Sequence, residues 1–60
     1  MISLLNSSKE NRFSIIITIN TYDSYIGIVS QYNKDEVILE LPNECFAIIP
    51  TRVISKITIA

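Results

Sequence analysis

The sequence predicts an all-β chain that folds into one small, strongly bent antiparallel barrel of five strands. One residue in three is β-branched, with 13 Ile, three Val and four Thr, and such side chains fit a pleated strand better than a helix. Ala, the best helix former, occurs only twice. Five short apolar runs alternate with turn-forming residues, and 60 residues leave room for a single domain.

Residues 1–12 differ from the barrel domain predicted over 13–60. Met1–Leu5 is apolar and Asn6–Arg12 is polar, and neither part alternates. A short helix, an extra strand and a loose arm all stay open for this segment, because short stretches do not distinguish them. The apolar part has no basic residues before it and is too short for a signal peptide, and no run in the chain is long enough for a membrane-spanning helix.

The first two strands are predicted at 13–20 and 25–32, with a turn at Thr21–Ser24. Gly27 is the only glycine of the chain. Its place within a strand predicts a sharp bend or a close approach of another strand. The apolar side chains of the first strand recur at every second position, which places four of them on one face: Phe13, Ile15, Ile17 and Ile19.

Three further strands are predicted at 37–41, 45–49 and 54–59. Pro42–Glu44 breaks the chain between the first two of these. Pro50 ends the fourth strand, because proline cannot donate a hydrogen bond to a neighbouring strand. Thr51–Val53 then has room for one tight turn. Five short strands with such connections are typical of an SH3-like barrel, whereas an OB-fold usually needs more residues.

Composition excludes several classes of function. The formal net charge is −1, which argues against a polycationic nucleic-acid binder. There is no His and one Cys, so a structural zinc site, a disulfide framework and a histidine-based catalytic centre within one chain are excluded. Cys45 starts an apolar run and is expected to be a small buried hydrophobe. We expect no enzyme activity, cofactor or metal, and an unpaired Cys fits a reducing cytoplasm.

Six segments of the chain carry a resemblance to a known family. They are Ile15–Ile19, Tyr25–Val29, Tyr32–Asn33, Val37–Leu41, Ala47–Pro50 and Ile54–Ile57. Together they resemble the Sm-like family, which includes the Sm, Lsm and bacterial Hfq proteins. The first motif of that family has a Gly in the second strand, an aromatic residue five positions on, and then an Asp. Gly27 and Tyr32 match this motif, and Asn33 replaces the Asp. Another SH3-like barrel is the alternative.

The resemblance implies a ring-forming RNA-binding or RNA-chaperone factor, but the base pocket of the family is not matched. Members that bind uridine or adenine have a stacking side chain at the position of Asp35. They also have an Asn that hydrogen-bonds the base, and its position falls near Val37, which cannot form such a bond. In the basic turn of the family only Arg52 is cationic here. Nucleic-acid binding is therefore expected to be weak and unspecific.

The resemblance also implies assembly, because the fourth strand of one Sm-like subunit pairs with the fifth strand of the next. We expect a homo-oligomer, a hexamer or heptamer, since a 60-residue domain alone buries little surface. The expected interface residues share an apolar character and lie on or beside these two strands: Cys45, Phe46, Ile48, Ile57 and Ile59. Gly27 and Pro50 are expected to have structural roles.

Four residues are the candidates for nucleic-acid binding: Arg52, Lys56, Tyr22 and Lys34. A ring repeats each cation around one axis, so a chain with a negative net charge can still attract phosphates. Tyr22 lies in a turn and is the best placed of three tyrosines to stack on a base. Isolated solvated charges, and tyrosines at the edge of a core or interface, are the alternatives. A non-enzymatic protein-interaction module, an accessory or phage-type factor that uses β-edges and apolar surface, is the alternative function.

Overall fold

The computed structural model describes residues 2–60 and confirms the predicted fold class. One helix and five strands follow in chain order: α1 (Ile2–Asn11), β1 (Ile15–Ile19), β2 (Ser24–Tyr32), β3 (Glu36–Glu40), β4 (Phe46–Pro50) and β5 (Ile54–Ile59). Short 3₁₀ turns at Pro42–Glu44 and Thr51–Val53 lie before and after β4. Of the three conformations left open for the first 12 residues, the structure has the helix.

The five strands form one bent sheet in the order β4-β3-β2-β1-β5, with antiparallel neighbours throughout. The long strand β2 belongs to two halves of this sheet. Its first part pairs with β1, as in Ile16 opposite Ile26, and its second part pairs with β3, as in Val29 opposite Leu39. Within the described residues, β4 and β5 each have a neighbouring strand on one side only.

Gly27 lies where β2 passes from β1 to β3, which confirms the bend predicted there. It is the last residue of β2 to pair with β1, and Ile28 is the first to pair with β3. A Cβ atom on Gly27 would overlap the carbonyl oxygen of Glu40 and lie 3.1 Å from Cγ of Leu39. Glycine is therefore required by the close approach of the β3 backbone.

The core fills the concave side of the sheet. Alternation along the strands places every second apolar side chain inward, as the sequence predicts. The fully or almost fully buried apolar residues are Leu5, Ile15, Ile17, Val29, Val37, Leu39 and Ile49. Leu5 comes from α1, which shows that the helix covers part of this core.

A buried serine holds α1 against the sheet. Ser8 is fully buried, and its hydroxyl donates a hydrogen bond to the carbonyl oxygen of Phe13 (2.7 Å). The same Oγ accepts a hydrogen bond from the backbone N–H of Val29 (3.1 Å). After the helix, Arg12 adopts a left-handed conformation (φ 57°) and its guanidinium pairs with Glu40 (2.8 Å). These contacts join the helix to the segment before β1 and to β2, and the residue after the helix to β3.

The burial predicted for Cys45 is wrong, and the thiol is exposed. The turn before β4 has left-handed residues at Asn43 (φ 70°) and Glu44 (φ 62°), and it closes with a hydrogen bond from Leu41 N–H to Cys45 O (2.8 Å). Because of this closure, Cys45 belongs to the turn and β4 begins one residue later than predicted, at Phe46. The barrel interior does not extend to that position.

Candidate nucleic-acid interface

Three turns are joined by hydrogen bonds at one end of the barrel, and we call them the three-turn surface. It comprises residues 20–23 between β1 and β2, residues 33–35 between β2 and β3, and the 3₁₀ turn Thr51–Val53. Asn20 N–H donates to the carbonyl oxygen of Val53 (2.8 Å). Thr51 donates from its N–H to Asp35 O (3.0 Å) and from its hydroxyl to Lys34 O (2.7 Å).

The β2–β3 turn is organised by the side chain of Asn33. Its Oδ1 accepts hydrogen bonds from the backbone N–H groups of Asp35 (2.7 Å) and Glu36 (3.0 Å), and its own N–H donates to Glu36 O (2.9 Å). An aspartate could accept the same two bonds, because both side chains present an oxygen at this position. The replacement of the family's Asp by Asn33 therefore preserves the turn.

The β1–β2 turn presents Tyr22 at its tip. The backbone N–H of Tyr22 donates to Ile19 O (2.9 Å), and that of Ile19 donates to Asp23 O (2.9 Å). The hydroxyl of Thr21 donates to the carboxylate of Asp23 (2.9 Å). Tyr22 has a left-handed backbone (φ 72°) and 90% of its surface is exposed.

Three of the four candidate residues lie on the three-turn surface, namely Tyr22, Lys34 and Arg52, and the last two are neighbours. Lys34 and Arg52 are exposed and are linked through Thr51, which lies beside Arg52 in the chain and binds the backbone of Lys34. Among residues 2–60 the only ion pair within 4 Å is that of Arg12 and Glu40, so neither cation is neutralised by direct contact. Asp23 and Asp35 lie on the same surface, however, and they balance its formal charge.

Lys56 lies in a different row of side chains from Lys34 and Arg52. It is opposite Thr18 in the β1–β5 register, and Thr18 is opposite Ser24 in the β1–β2 register. The hydroxyls of Thr18 and Ser24 are 3.1 Å apart. Directly opposed residues share a face, so this row follows the outer surface of the sheet from Lys56 towards the turn that carries Tyr22.

The expected interface residues are divided between exposed edges and the core. Phe46 (61% exposed) and Ile48 (64%) lie on β4, and Ile59 (66%) lies on β5. Ile57 is half-buried and packs against the core, so part of its apolar surface is already used within the protomer. Sequence alternation did not distinguish it from Ile59, because the two have the same phase along β5.

The structure contains no enclosed base pocket at the positions that form one in the family. Val37 is fully buried in the core, so its side chain is not accessible to a base, and Asp35 is an exposed turn residue. A cavity of about 50 Å³ beside the β2–β3 turn, lined by Gln31, Glu36 and Ile38 among others, is far below the size of a small-molecule site.

Two other kinds of feature are absent from the described residues. No group of three or more His, Cys, Asp or Glu residues in that part of the chain is placed to hold a metal ion. No helix within it has the length and apolar character needed to cross a membrane.

Thr51 is the residue of this surface that sequence reasoning missed. Its two bonds reach the backbone of residues 34 and 35, and no local pattern around position 51 indicates these partners. The only sequence signal was the short space between Pro50 and β5, which required a tight turn.

Comparison with known proteins supports the fold. No protein-family model and no curated protein sequence matches this chain. Its structure is similar to the 1.55 Å crystal structure of the pleiotropic translational regulator Hfq, with a TM-score of 0.91 and 20% sequence identity. The alignment covers 100% of this chain and 89% of the other. The chain therefore has the Sm-like fold of Hfq, as the resemblance in sequence implied.

Proposed function

We propose that this Sm-like chain assembles into a cyclic homo-oligomer, a hexamer or heptamer, that binds single-stranded RNA weakly and with little base preference. The observation that carries the proposal is an Sm-like sheet with an open strand at each end and exposed apolar side chains on both. The proposed RNA surface is the three-turn surface, with Tyr22, Lys34 and Arg52, together with Lys56. The proposal includes no catalytic step.

Assembly follows from the two open edges. An unpaired strand edge presents free backbone donors and acceptors, and proteins usually cover such edges. Pairing of β4 of one copy with β5 of the next joins two different surfaces, and such head-to-tail contacts form a ring when the rotation closes. Phe46 and Ile48 on β4, with Ile59 on β5, would then lie next to the new contact.

RNA binding follows from repetition of the cations rather than from the charge of one protomer. Lys34 and Arg52 share their surface with Asp23 and Asp35, so attraction for a phosphate is short-ranged. A ring presents both cations once per subunit around a common axis, and each contact with a phosphate releases counterions. Binding of this kind weakens steeply as salt is added and does not depend on the base.

Assembly can be tested by native mass spectrometry and sedimentation of the purified chain. Ile48→Lys introduces a charge on the open strand β4 and is expected to shift the oligomer towards monomers. Ile26→Lys is the matched control, because Ile26 is also exposed (52%) but lies on the interior strand β2. A wild-type chain that sediments as a stable monomer at micromolar concentration contradicts the proposal.

RNA binding can be tested by fluorescence anisotropy with labelled oligo-U and oligo-A. Affinity is expected to fall at least about tenfold between roughly 50 and 200 mM salt. Arg52→Ala should weaken binding to both strands about equally, because a phosphate contact carries no base information. Arg12→Ala is the control, since that guanidinium is held by Glu40. Strong preference for one homopolymer that survives high salt contradicts this part of the proposal.

A protein-interaction module is the second candidate function. The supporting observation is the set of exposed large apolar side chains on the sheet: Ile26, Phe46, Ile48 and Ile59. Such side chains, with an open strand edge, can bind an extended segment of another protein. If no single strand binds even at low salt, this function is favoured over RNA binding. Either function fits the cytoplasm, where a reducing environment keeps the exposed thiol of Cys45 free.

A further inference from the structure

We propose that Tyr22 is a base-stacking residue that supplies the part of RNA binding that resists salt. The proposal rests on the RNA-binding function proposed above and deepens it, because it assigns a contact with unpaired nucleobases to one side chain. The position is the tip of the β1–β2 turn, away from the positions at which the resemblance would place a base pocket.

The backbone of Tyr22 is in a conformation that tyrosine does not favour. Its φ of 72° lies in the left-handed region, where the Cβ atom of an ordinary residue approaches the backbone too closely. Gly and Asn tolerate this region best, and Asn43 adopts it in the β3–β4 turn (φ 70°); Arg12 (φ 57°) and Glu44 (φ 62°) are also left-handed. A stable turn therefore favours Asn or Gly at position 22, and stability alone does not account for an aromatic residue.

No contact of the Tyr22 side chain within the described residues compensates for this strain. Tyr22 is 90% exposed, whereas Tyr25 and Tyr32 pack against the core. The hydroxyl of Tyr32 also donates to Asn6 Oδ1 (3.2 Å). Two of the three tyrosines thus have a structural role, and Tyr22 does not. Strain at an exposed position of this kind points to a contact outside the protomer.

The surroundings of Tyr22 favour a nucleobase over a protein partner. The residues next to it are polar and exposed, three in the turn and one at the start of β2: Asn20, Thr21, Asp23 and Ser24. A tyrosine at the centre of a protein interface is normally enclosed by other contacts that exclude water. Stacking on a base needs only one accessible ring face, and every base offers a π-face.

The fixed position of the turn and a cation near it both favour binding of a nucleic-acid strand. The backbone of the turn is fixed by the bonds between Ile19 and Asp23 and between Asn20 and Val53, so the tip that carries Tyr22 is held at a defined place. The row from Ser24 through Thr18 to Lys56 spans two strand spacings, so Lys56 lies about 10 Å from Ser24, which follows Tyr22 by two residues. A stacked base and a neighbouring phosphate can therefore be bound together.

The experiment compares wild type with Tyr22→Asn and Tyr22→Phe. Each is titrated by anisotropy with a labelled oligo-A strand and with an abasic ribose-phosphate strand of the same length and charge. Wild type and Tyr22→Phe are expected to bind oligo-A about five- to a hundredfold more tightly than the abasic strand. Tyr22→Asn should bind both strands equally, and its melting temperature should rise because Asn relieves the backbone strain.

The possible failures are distinguishable. If Tyr22→Asn keeps the preference for oligo-A over the abasic strand, Tyr22 does not stack on a base and only this proposal fails. If Tyr22→Asn lowers the melting temperature or changes the oligomer seen by native mass spectrometry, Tyr22 has a structural or copy-to-copy role and this proposal is wrong. If wild type binds neither strand at low salt, the RNA-binding function fails and the role of Tyr22 with it.

Discussion

Replacing Ser8 with Ala tests how firmly α1 is fixed to the barrel. The hydroxyl of Ser8 is fully buried and makes two hydrogen bonds, one to Phe13 O and one from Val29 N–H. Both partners are backbone groups outside the helix. Alanine removes the hydroxyl without adding volume, so the two backbone groups lose their partner in a place that water does not easily reach.

The expected loss is worked from these two bonds. A buried polar group left without a partner costs about 1–3 kcal/mol. Alanine in a helix gains back about 0.5 kcal/mol over serine. The two groups together cost about 2–6 kcal/mol, so the free energy of unfolding should fall by about 1.5–5.5 kcal/mol. Each kcal/mol lowers the melting temperature of a domain this small by about 4–8 °C.

The assay is thermal unfolding followed by circular dichroism at one fixed protein concentration, because self-association alters the apparent stability. Ser7→Ala is the matched control. Ser7 is the neighbouring residue in α1 and half-buried, and none of the side-chain hydrogen bonds within residues 2–60 involves it. That variant should be unchanged or slightly more stable. Equal melting temperatures for the two variants would refute the role assigned to Ser8.

Three further predictions concern the turns and the bend. Gly27→Val should lower stability by at least about 1 kcal/mol, because a Cβ would overlap the backbone of Glu40; an unchanged melting temperature would show that β2 and β3 can separate there without loss. In urea unfolding, Asn33→Asp should be as stable as wild type, whereas Asn33→Ala should lose about 1 kcal/mol of stability because it lacks the acceptor oxygen. Equal losses of stability for the two variants would contradict the acceptor role of Oδ1. Arg12→Gly should be at least as stable as wild type. The exposed ion pair with Glu40 contributes only about 0–1 kcal/mol, and glycine relieves the left-handed backbone at this position. A loss of stability above about 1 kcal/mol would mean that the ion pair is stronger than its exposure suggests.

The strands could be predicted from the sequence because their signal is local. Alternating apolar positions indicate both a strand and its inward face, and the structure has all five strands within two residues of the predicted ends. The bend could be predicted because glycine weakens a strand, so that a lone glycine within one indicates a bend or a close backbone approach. The helix could not be separated from its alternatives, because its apolar face consists of few residues and part of its attachment is polar.

The contacts that build the candidate site could not be predicted, because they join residues far apart in sequence. The hydroxyl of Thr51 binds the backbone 17 residues earlier, and Ser8 accepts a bond from Val29, 21 residues later. Arg12 and Glu40 are 28 residues apart. Periodicity describes one strand or helix at a time, and it contains no information about which turn lies beside which. The exposure of Cys45 escaped prediction for a related reason, since the start of β4 depends on how the preceding turn closes.

The strand β5 has two tasks. Its register places Ile59 opposite Ile15, so the pairing of β1 is complete only when the far end of β5 is in place. In the proposed ring, the opposite edge of β5 would be the one offered to the next copy. A substitution that separates β5 from β1 would therefore also remove the edge that the next copy needs, so the stability of the subunit and its assembly would be lost together.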